Sequence, residues 1–368
     1  MQGNHDKVPK HTQILKKACD AEKISSSDCV LLKAFISEVS SQQGISGIGD
    51  DRKAILVIAA ITLRGYLNGS YENVSTEDVL FAIDEYKGDT KHSKGTQKLY
   101  LSAFKQFLTW LRETDKNQHL QTNRISKINT NIKTVLKSEK DVLIGDELER
   151  VFRAMRSFRD RTFIEVLYES MGRIGEVCSL TWKQVEFFND HAIITIQSKT
   201  EFQRKIPLYI SHITLKNWQY QYPQGAEPDA YVFYGRISNR FKPMNYGTAL
   251  RLVTQAAQDA GIEKHVTPHT FRHTRITDLL RMGIPEQTIK MLAWGNVTSE
   301  MLKVYAHLTP TDAVNDLNKR MGVDAGNKME PLADIATPAQ CPQCGTINSK
   351  LNPYCGNCGS EMARYIHT

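Results

Sequence analysis

Thr267-Pro-His-Thr-Phe-Arg-His273 is the stretch from which the second half of this chain can be read. Proline at a first helical position has a preset φ and no N–H to lose, so a helix is expected to begin at Pro268. His269 and Arg272 then stand at i and i+3 on one face, where both side chains can meet one phosphate. Arg173, Lys199, Trp294 and Tyr305 complete a set of polar residues able to break a phosphodiester without a metal.

Each residue type answers a separate chemical demand. In-line attack raises the charge on the non-bridging oxygens, and two forked guanidiniums, Arg173 and Arg272, suit that charge better than lysines. A free phenol has a pKa of about 10, so Tyr305 as nucleophile needs cationic neighbours or a base such as His269. The leaving 5′ oxygen needs a proton. Lys199 lies between two strand-like runs, His191 to Gln197 and Gln203 to Leu208, at a hairpin tip from which it is the candidate general acid.

Gly172-Arg-Ile-Gly-Glu-Val-Cys-Ser-Leu-Thr-Trp182, Ser198-Lys-Thr200, His269-Thr-Phe-Arg-His273 and Lys303-Val-Tyr-Ala-His307 resemble, in this order, the tyrosine recombinase (phage integrase) family. The specific similarity covers residues 141–320, and the preceding hundred residues resemble the family's helical core-binding domain more loosely. The resemblance implies that Arg173 and Arg272 bind phosphate, that Lys199 is the lysine of the β-hairpin, and that His269 and Trp294 assist proton handling and packing. Tyr305 would form a 3′-phosphotyrosyl link and release a 5′-hydroxyl that later attacks a partner strand. Ester energy is retained, so neither ATP nor catalytic Mg²⁺ is implied. Glu176 and His273 match supporting residues of the family. Leu292-Ala-Trp294 lies eleven residues before Tyr305, farther than the family's usual triplet. An indole donates one hydrogen bond and cannot shuttle a proton, so Trp294 is expected to position.

The resemblance implies duplex DNA as partner, a homo-tetramer on two DNA sites, and accessory DNA-bending proteins as a further candidate class. Integration or excision of a mobile element is the expected task, with Xer-type resolution of DNA dimers as the alternative. A type IB topoisomerase would use related residues as a monomer. A DNA-binding regulator that has lost catalysis is the reading from another class. Taken singly, the residues also have plain explanations: Arg173 as a surface ion pair, Lys199 as an exposed hairpin lysine, His269 as an N-terminal helix residue, Tyr305 as a packed anchor.

The expected fold is mainly α with a small antiparallel β-sheet. Residues 1–118 read as a helical DNA-clamp domain, with helices at Ser25–Ser41, Asp50–Leu67, Thr76–Tyr86 and Lys94–Thr114. In the last of these Leu99, Leu101, Phe104, Phe107, Leu108, Trp110 and Leu111 form an apolar stripe beside basic Lys98, Lys105 and Arg112. Residues 119–140 read as a basic linker. The catalytic domain spans 141–322, with helices at Gly145–Ser157 and Arg161–Glu169, near 173, at 212–220, 246–260, 268–281 and 286–293, around the 191–208 hairpin. Ser299–Leu308 reads as a short helix carrying Tyr305.

Seven cysteines divide in two. Cys19, Cys29 and Cys178 are scattered in helical patterns and are expected to be reduced, buried thiols. Cys341-Pro-Gln-Cys344 and Cys355-Gly-Asn-Cys358 are two Cys-x-x-Cys knuckles, each followed by glycine. Four thiolates at this spacing suit a tetrahedral, structural Zn²⁺, in a ribbon over 341–368 too small to fold on its own core. A tether over 323–340 leads to it.

With 47 basic and 40 acidic residues among 368, the net charge is +7, which mildly favours a polyanionic partner. No apolar run reaches the roughly 18 residues a membrane span needs, and the polar start is unlike a signal peptide, so a cytoplasmic protein is expected.

Overall fold

The computed structural model describes residues 8–42, 48–132, 142–155, 157–197, 203–223, 225–235, 241–300, 302, 338–349, 354–355 and 358–362. The chain divides into two units, Met1–Val135 and Leu136–Thr368, with the division inside the segment read as a linker. Among the described residues no helix is long and apolar enough to cross a membrane.

Among the described residues the first unit is all α: α1 (Lys10–Asp20), α2 (Ser26–Gln42), α3 (Asp50–Arg64), α4 (Thr76–Gly88), α5 (Lys94–Glu113) and α6 (Thr122–Ser126). The sequence reading named neither α1 nor α6. α4 begins at a reciprocal cap in which the Ser75 hydroxyl accepts from Asp78 N–H while the Asp78 carboxylate accepts from Ser75 N–H. α5 buries Leu101, Phe104, Phe107, Leu108, Trp110 and Leu111, and Phe107 stacks on Trp110 with centroids 5.9 Å apart. Leu99 departs from the expected stripe and is exposed. Lys105 departs from the expected basic face: its Nζ donates to the carbonyls of Ser126 (2.6 Å) and Ile128 (3.0 Å), satisfying the end of α6.

Cys19 and Cys29 form a disulfide with Cα atoms 6.2 Å apart, which corrects the expectation of reduced thiols there. The reason is topological. A short turn joins α1 to α2, and one residue near the end of α1 meets one near the start of α2. Cys178 is a buried free thiol, as read, and burial pushes it up to about 12.

The second unit packs helices around a three-stranded antiparallel sheet. Its helices are α7 (Gly145–Arg153), α8 (Phe158–Glu169), α9 (Ile174–Cys178), α10 (His212–Tyr220), α11 (Tyr246–Asp259), α12 (Pro268–Arg281) and α13 (Glu286–Trp294). The strands β1 (Val185–Phe187), β2 (Ala192–Gln197) and β3 (Gln203–Leu208) lie in that order. β2 and β3 pair from Ala192↔Leu208 to Gln197↔Gln203, so the hairpin stands where it was expected. Ala192, Ile194 and Ile196 alternate onto the core face, as a half-buried strand requires.

α8 is the central helix, with every side chain from Thr162 to Glu169 buried. Its two buried carboxylates are satisfied by partners. Glu169 accepts from the backbone N–H groups of Tyr209, Ile210 and Ser211 at 2.6, 2.8 and 2.9 Å, fastening the end of β3 to α8. Glu165 accepts from Arg161 and Thr214. α12 lies against α8 through Tyr168, whose hydroxyl donates to Asp278 at 2.6 Å while the Arg275 guanidinium sits 5.2 Å from its ring. α12 begins at Pro268 as predicted, with Thr270 paired back to the Thr267 N–H.

Candidate active site

Arg173 is the residue before the first turn of α9, and its side chain is 52% exposed. Glu176, three residues on, reaches back to it twice: one carboxylate oxygen accepts from the Arg173 backbone N–H at 2.8 Å and the other from its Nη1 at 2.9 Å. Both hydrogen bonds run from Arg173 to the carboxylate, so Glu176 caps the start of a short helix and aims the guanidinium. Burial pushes the Glu176 carboxyl up, but the Arg173 backbone N–H and the charges of Arg204 and Arg173 outweigh it and hold the group below its ordinary 4.5. The carboxylate is therefore ionised at neutral pH.

Arg272 is buried on α12 and faces inward. Its Nη1 donates to the Met171 carbonyl, its Nη2 donates to the Ala293 carbonyl at 2.8 Å, and its guanidinium lies 5.1 Å from the Trp294 ring. A guanidinium has five donors in a fixed fork, so one group can hold backbone carbonyls and still present an edge to a phosphate. Met171 has φ 52°, in the left-handed region that costs a side-chain-bearing residue of order 1 kcal/mol. That turn, immediately before Gly172 and Arg173, sets the carbonyl that meets Arg272.

Four of the expected residues are thus brought together: Arg173, Glu176, Arg272 and Trp294. Trp294 ends α13, and Gly295 takes the left-handed conformation that closes a helix, φ 72°. Its indole ring underlies the Arg272 guanidinium. His269 is exposed near the start of α12, and its ring lies 6.3 Å from that of His273. Lys199 and Tyr305 lie outside the described residues, as does the rest of the helix read at Ser299–Leu308 apart from its first two residues and Leu302.

Sequence reasoning missed Arg204. Its side chain, 1% exposed, donates to Glu176 at 2.5 Å and to the carbonyls of Ala293 and Leu292 at 2.7 and 3.1 Å. The signal was present in the alternation of Gln203-Arg-Lys-Ile-Pro-Leu208, which places Arg204 on the same face as buried Ile206 and Leu208.

The C-terminal cysteines form a second site. The sulfurs of Cys341, Cys344, Cys355 and Cys358 all lie within 4.8 Å of one another, with Cys341–Cys358 at 3.7 Å and Cys344–Cys355 at 3.6 Å. A tetrahedron with metal–sulfur bonds of about 2.3 Å has edges of about 3.8 Å, so the spacing fits one zinc ion. The two knuckles repeat one backbone pattern. Cys341 N–H donates to Thr346 O and Cys355 N–H to Ser360 O, while Gly345 and Gly359 N–H return to Cys341 O and Cys355 O. Both glycines have φ near 70°, which explains a glycine after each pair. The strands β4 (Pro338–Gln340) and β5 (Ile347–Ser349) flank the first knuckle, and Asn348 donates to the Cys355 sulfur at 3.5 Å.

Residues 141–312 match the phage integrase family. The chain is similar to a tyrosine recombinase XerC of Corynebacterium glutamicum, 26% identical over 291 residues covering 75% of this chain and 87% of that protein. It is also similar to transposase A from transposon Tn554 of Staphylococcus aureus, 28% identical over 197 residues covering 50% of this chain and 54% of that protein. In fold it resembles a lambda integrase fragment solved as a dimer bound to a COC′ core site, with TM-score 0.58 and 18% identity over 76% of this chain and 95% of that one. The matched region spans α7 to α13 and the arginine-bearing elements just described, so residues 141–312 of this chain carry a phage integrase family domain.

Proposed function

We propose that this protein is a site-specific DNA recombinase that cuts duplex DNA with Tyr305 and exchanges strands through a 3′-phosphotyrosyl intermediate. The observation that carries the reading is the joined set of Arg173, Glu176, Arg272 and Trp294 at three separate helices, which supports a site for a phosphate. The Tyr305 phenolic oxygen attacks phosphorus in line, and the bond to the 5′ oxygen breaks. His269 takes the phenolic proton and Lys199 supplies one to the leaving oxygen. Arg173 and Arg272 meet the charge that builds on the non-bridging oxygens. The reverse reaction, with a 5′-hydroxyl from another duplex, rejoins the strands. Glu176 and His273 support the site.

The partner is double-stranded DNA, bound by a homo-tetramer holding two sites, with DNA-bending proteins as candidate accessories. Movement of a mobile element is the preferred task, supported by the likeness to transposase A and by a ribbon added to the recombinase pattern. Resolution of DNA dimers is the second reading, favoured by the match to XerC over 87% of that protein. Recombination requires no catalytic cofactor in this scheme. Zinc is proposed to hold Cys341, Cys344, Cys355 and Cys358, a closed four-thiolate set that gives the ribbon its fold and offers no position for substrate.

The test is a nicked duplex carrying the cognate site, whose cleavage traps the covalent step. A denaturation-resistant adduct is expected. Tyr305→Phe should abolish it while DNA affinity changes by less than about tenfold, since one hydroxyl is worth about 1 kcal/mol. An adduct formed equally by the Phe variant would exclude Tyr305. Failure of the native chain to form one on any site it binds would favour a DNA-binding regulator.

A further inference from the structure

Arg204 is a buried guanidinium that the reaction just described does not use. It lies on β3, paired with Ile196 of β2, and its side chain is 1% exposed. A charge that deep survives only when paired, and both Nη atoms are, while the buried Nε has no hydrogen-bond partner among the described residues. Each of its three acceptors also belongs to a group that touches the arginine clamp. Glu176 takes Arg204 on one oxygen at 2.5 Å and holds Arg173 through its backbone N–H and guanidinium. The Ala293 carbonyl takes Arg204 at 2.7 Å and Arg272 at 2.8 Å. The Leu292 carbonyl, at 3.1 Å, fixes the same last turn of α13, whose final residue is Trp294 beneath Arg272. Carbonyls of a last helical turn lack partners within the helix and carry its negative end, so a cation is favoured there.

We infer that Arg204 is a positioning residue for the phosphate clamp, bridging the carboxylate that aims Arg173 to the carbonyl that aims Arg272 and so fixing the two guanidiniums relative to each other. The inference rests on the reading of Arg173 and Arg272 as phosphate ligands. Arg204 itself stays under the site and meets no substrate. Its fork is needed because three acceptors lie in different directions. An ammonium keeps the charge beside Glu176 but cannot span them.

Arg204→Lys therefore separates positioning from folding, because Glu176 stays paired. The rate of adduct formation in a single turnover, the affinity for DNA and the melting temperature are compared on two nicked substrates. One carries the ordinary phosphodiester. The other carries a methylphosphonate at the scissile position, where a neutral methyl replaces one charged oxygen and less charge must be held. On the phosphodiester we expect a loss of about a hundredfold in rate with affinity within about threefold, the scale of a misplaced catalytic group. On the methylphosphonate the loss should shrink to about tenfold or less. Equal losses on both linkages, or none on either, would overturn the inference. Arg204→Met, which removes the charge, should show the same difference between linkages, and if it fails to fold the lysine variant alone decides. Native protein that forms no adduct, or clamp variants Arg173→Ala and Arg272→Ala that retain it, would instead overturn the underlying reading.

Discussion

Gly172 is the position where a single added carbon should disturb the clamp most. A Cβ there would stand 2.8 Å from Val177 Cγ2 and 2.9 Å from Ser170 Oγ, with Ile196 Cδ1 at 3.5 Å. None of these can yield cheaply. Val177 is fully buried and branched at Cβ, and Ser170 Oγ accepts the Gly172 N–H at 3.1 Å. Ile196 pairs in the sheet with Arg204. Gly172→Ala must therefore shift the backbone between Met171, whose carbonyl holds Arg272, and Arg173. Overpacking a core of this kind costs about 1–3 kcal/mol. In a unit of this size that lowers the melting temperature by about 2–4 °C per kcal/mol. The catalytic effect should be larger in proportion, about a hundredfold in the rate of adduct formation, because a displacement of order 1 Å in a positioning element costs that much. Melting curves and single-turnover cleavage of the nicked duplex measure the two effects. If Gly172→Ala melts and cleaves like the native protein, the tight turn is not what sets Arg173 and Arg272.

Two further predictions concern the metal and pH. Elemental analysis should find one zinc per chain, and chelation, or Cys341→Ser with Cys344→Ser, should expose 338–368 to proteolysis while the catalytic unit keeps its cooperative melt. The ribbon's described apolar core is only Cys341, Cys355 and Met362 with Ala339, whereas structural zinc contributes about 10 kcal/mol or more. Loss of the whole melt on chelation would contradict this. Burial pushes Asp278 from its ordinary 3.8 to about 6 against the pull of Tyr168 and Arg275. The folded state then binds that proton more tightly than the unfolded chain, so its ionisation costs about 3 kcal/mol at neutral pH, a cost relieved as pH falls from about 6 to 4. Native protein should gain stability relative to Asp278→Asn over that window, and parallel melting profiles would refute it.

Much of the catalytic unit was legible because its signals are local. Pro268 starts α12, Pro285 precedes α13, and alternation marks the β2–β3 hairpin, all within a residue or two of the observed bounds. Arg173, Glu176 and Arg272 were legible through their order along the chain. What escaped depends on contacts distant in sequence. Lys105 looks like any surface lysine until α6 folds beneath it 21 residues on. Cys19 and Cys29 looked like separate thiols because helical periodicity says nothing about how α1 and α2 fold back on each other. Arg204 looked like part of a polar hairpin end, since its acceptors at 176, 292 and 293 come from two remote helices.

With Arg173 and Arg272 holding phosphate as proposed, the arrangement also explains why a carboxylate is tolerated beside them. Glu176 orients Arg173 but by itself would cancel that residue's charge. Arg204, bound to the other side of Glu176 at 2.5 Å, offsets the carboxylate from beneath, where it is 1% exposed and removed from solvent. Three guanidiniums against one carboxylate leave two net positive charges, facing a diester that carries one negative charge and gains a second as attack proceeds. Such a site favours the transition state over the bound substrate, which is the form of binding that accelerates a reaction. An arginine clamp lacking Glu176 would hold the ground state more tightly with less fixed geometry, and one lacking Arg204 would spend half its charge on its own brace.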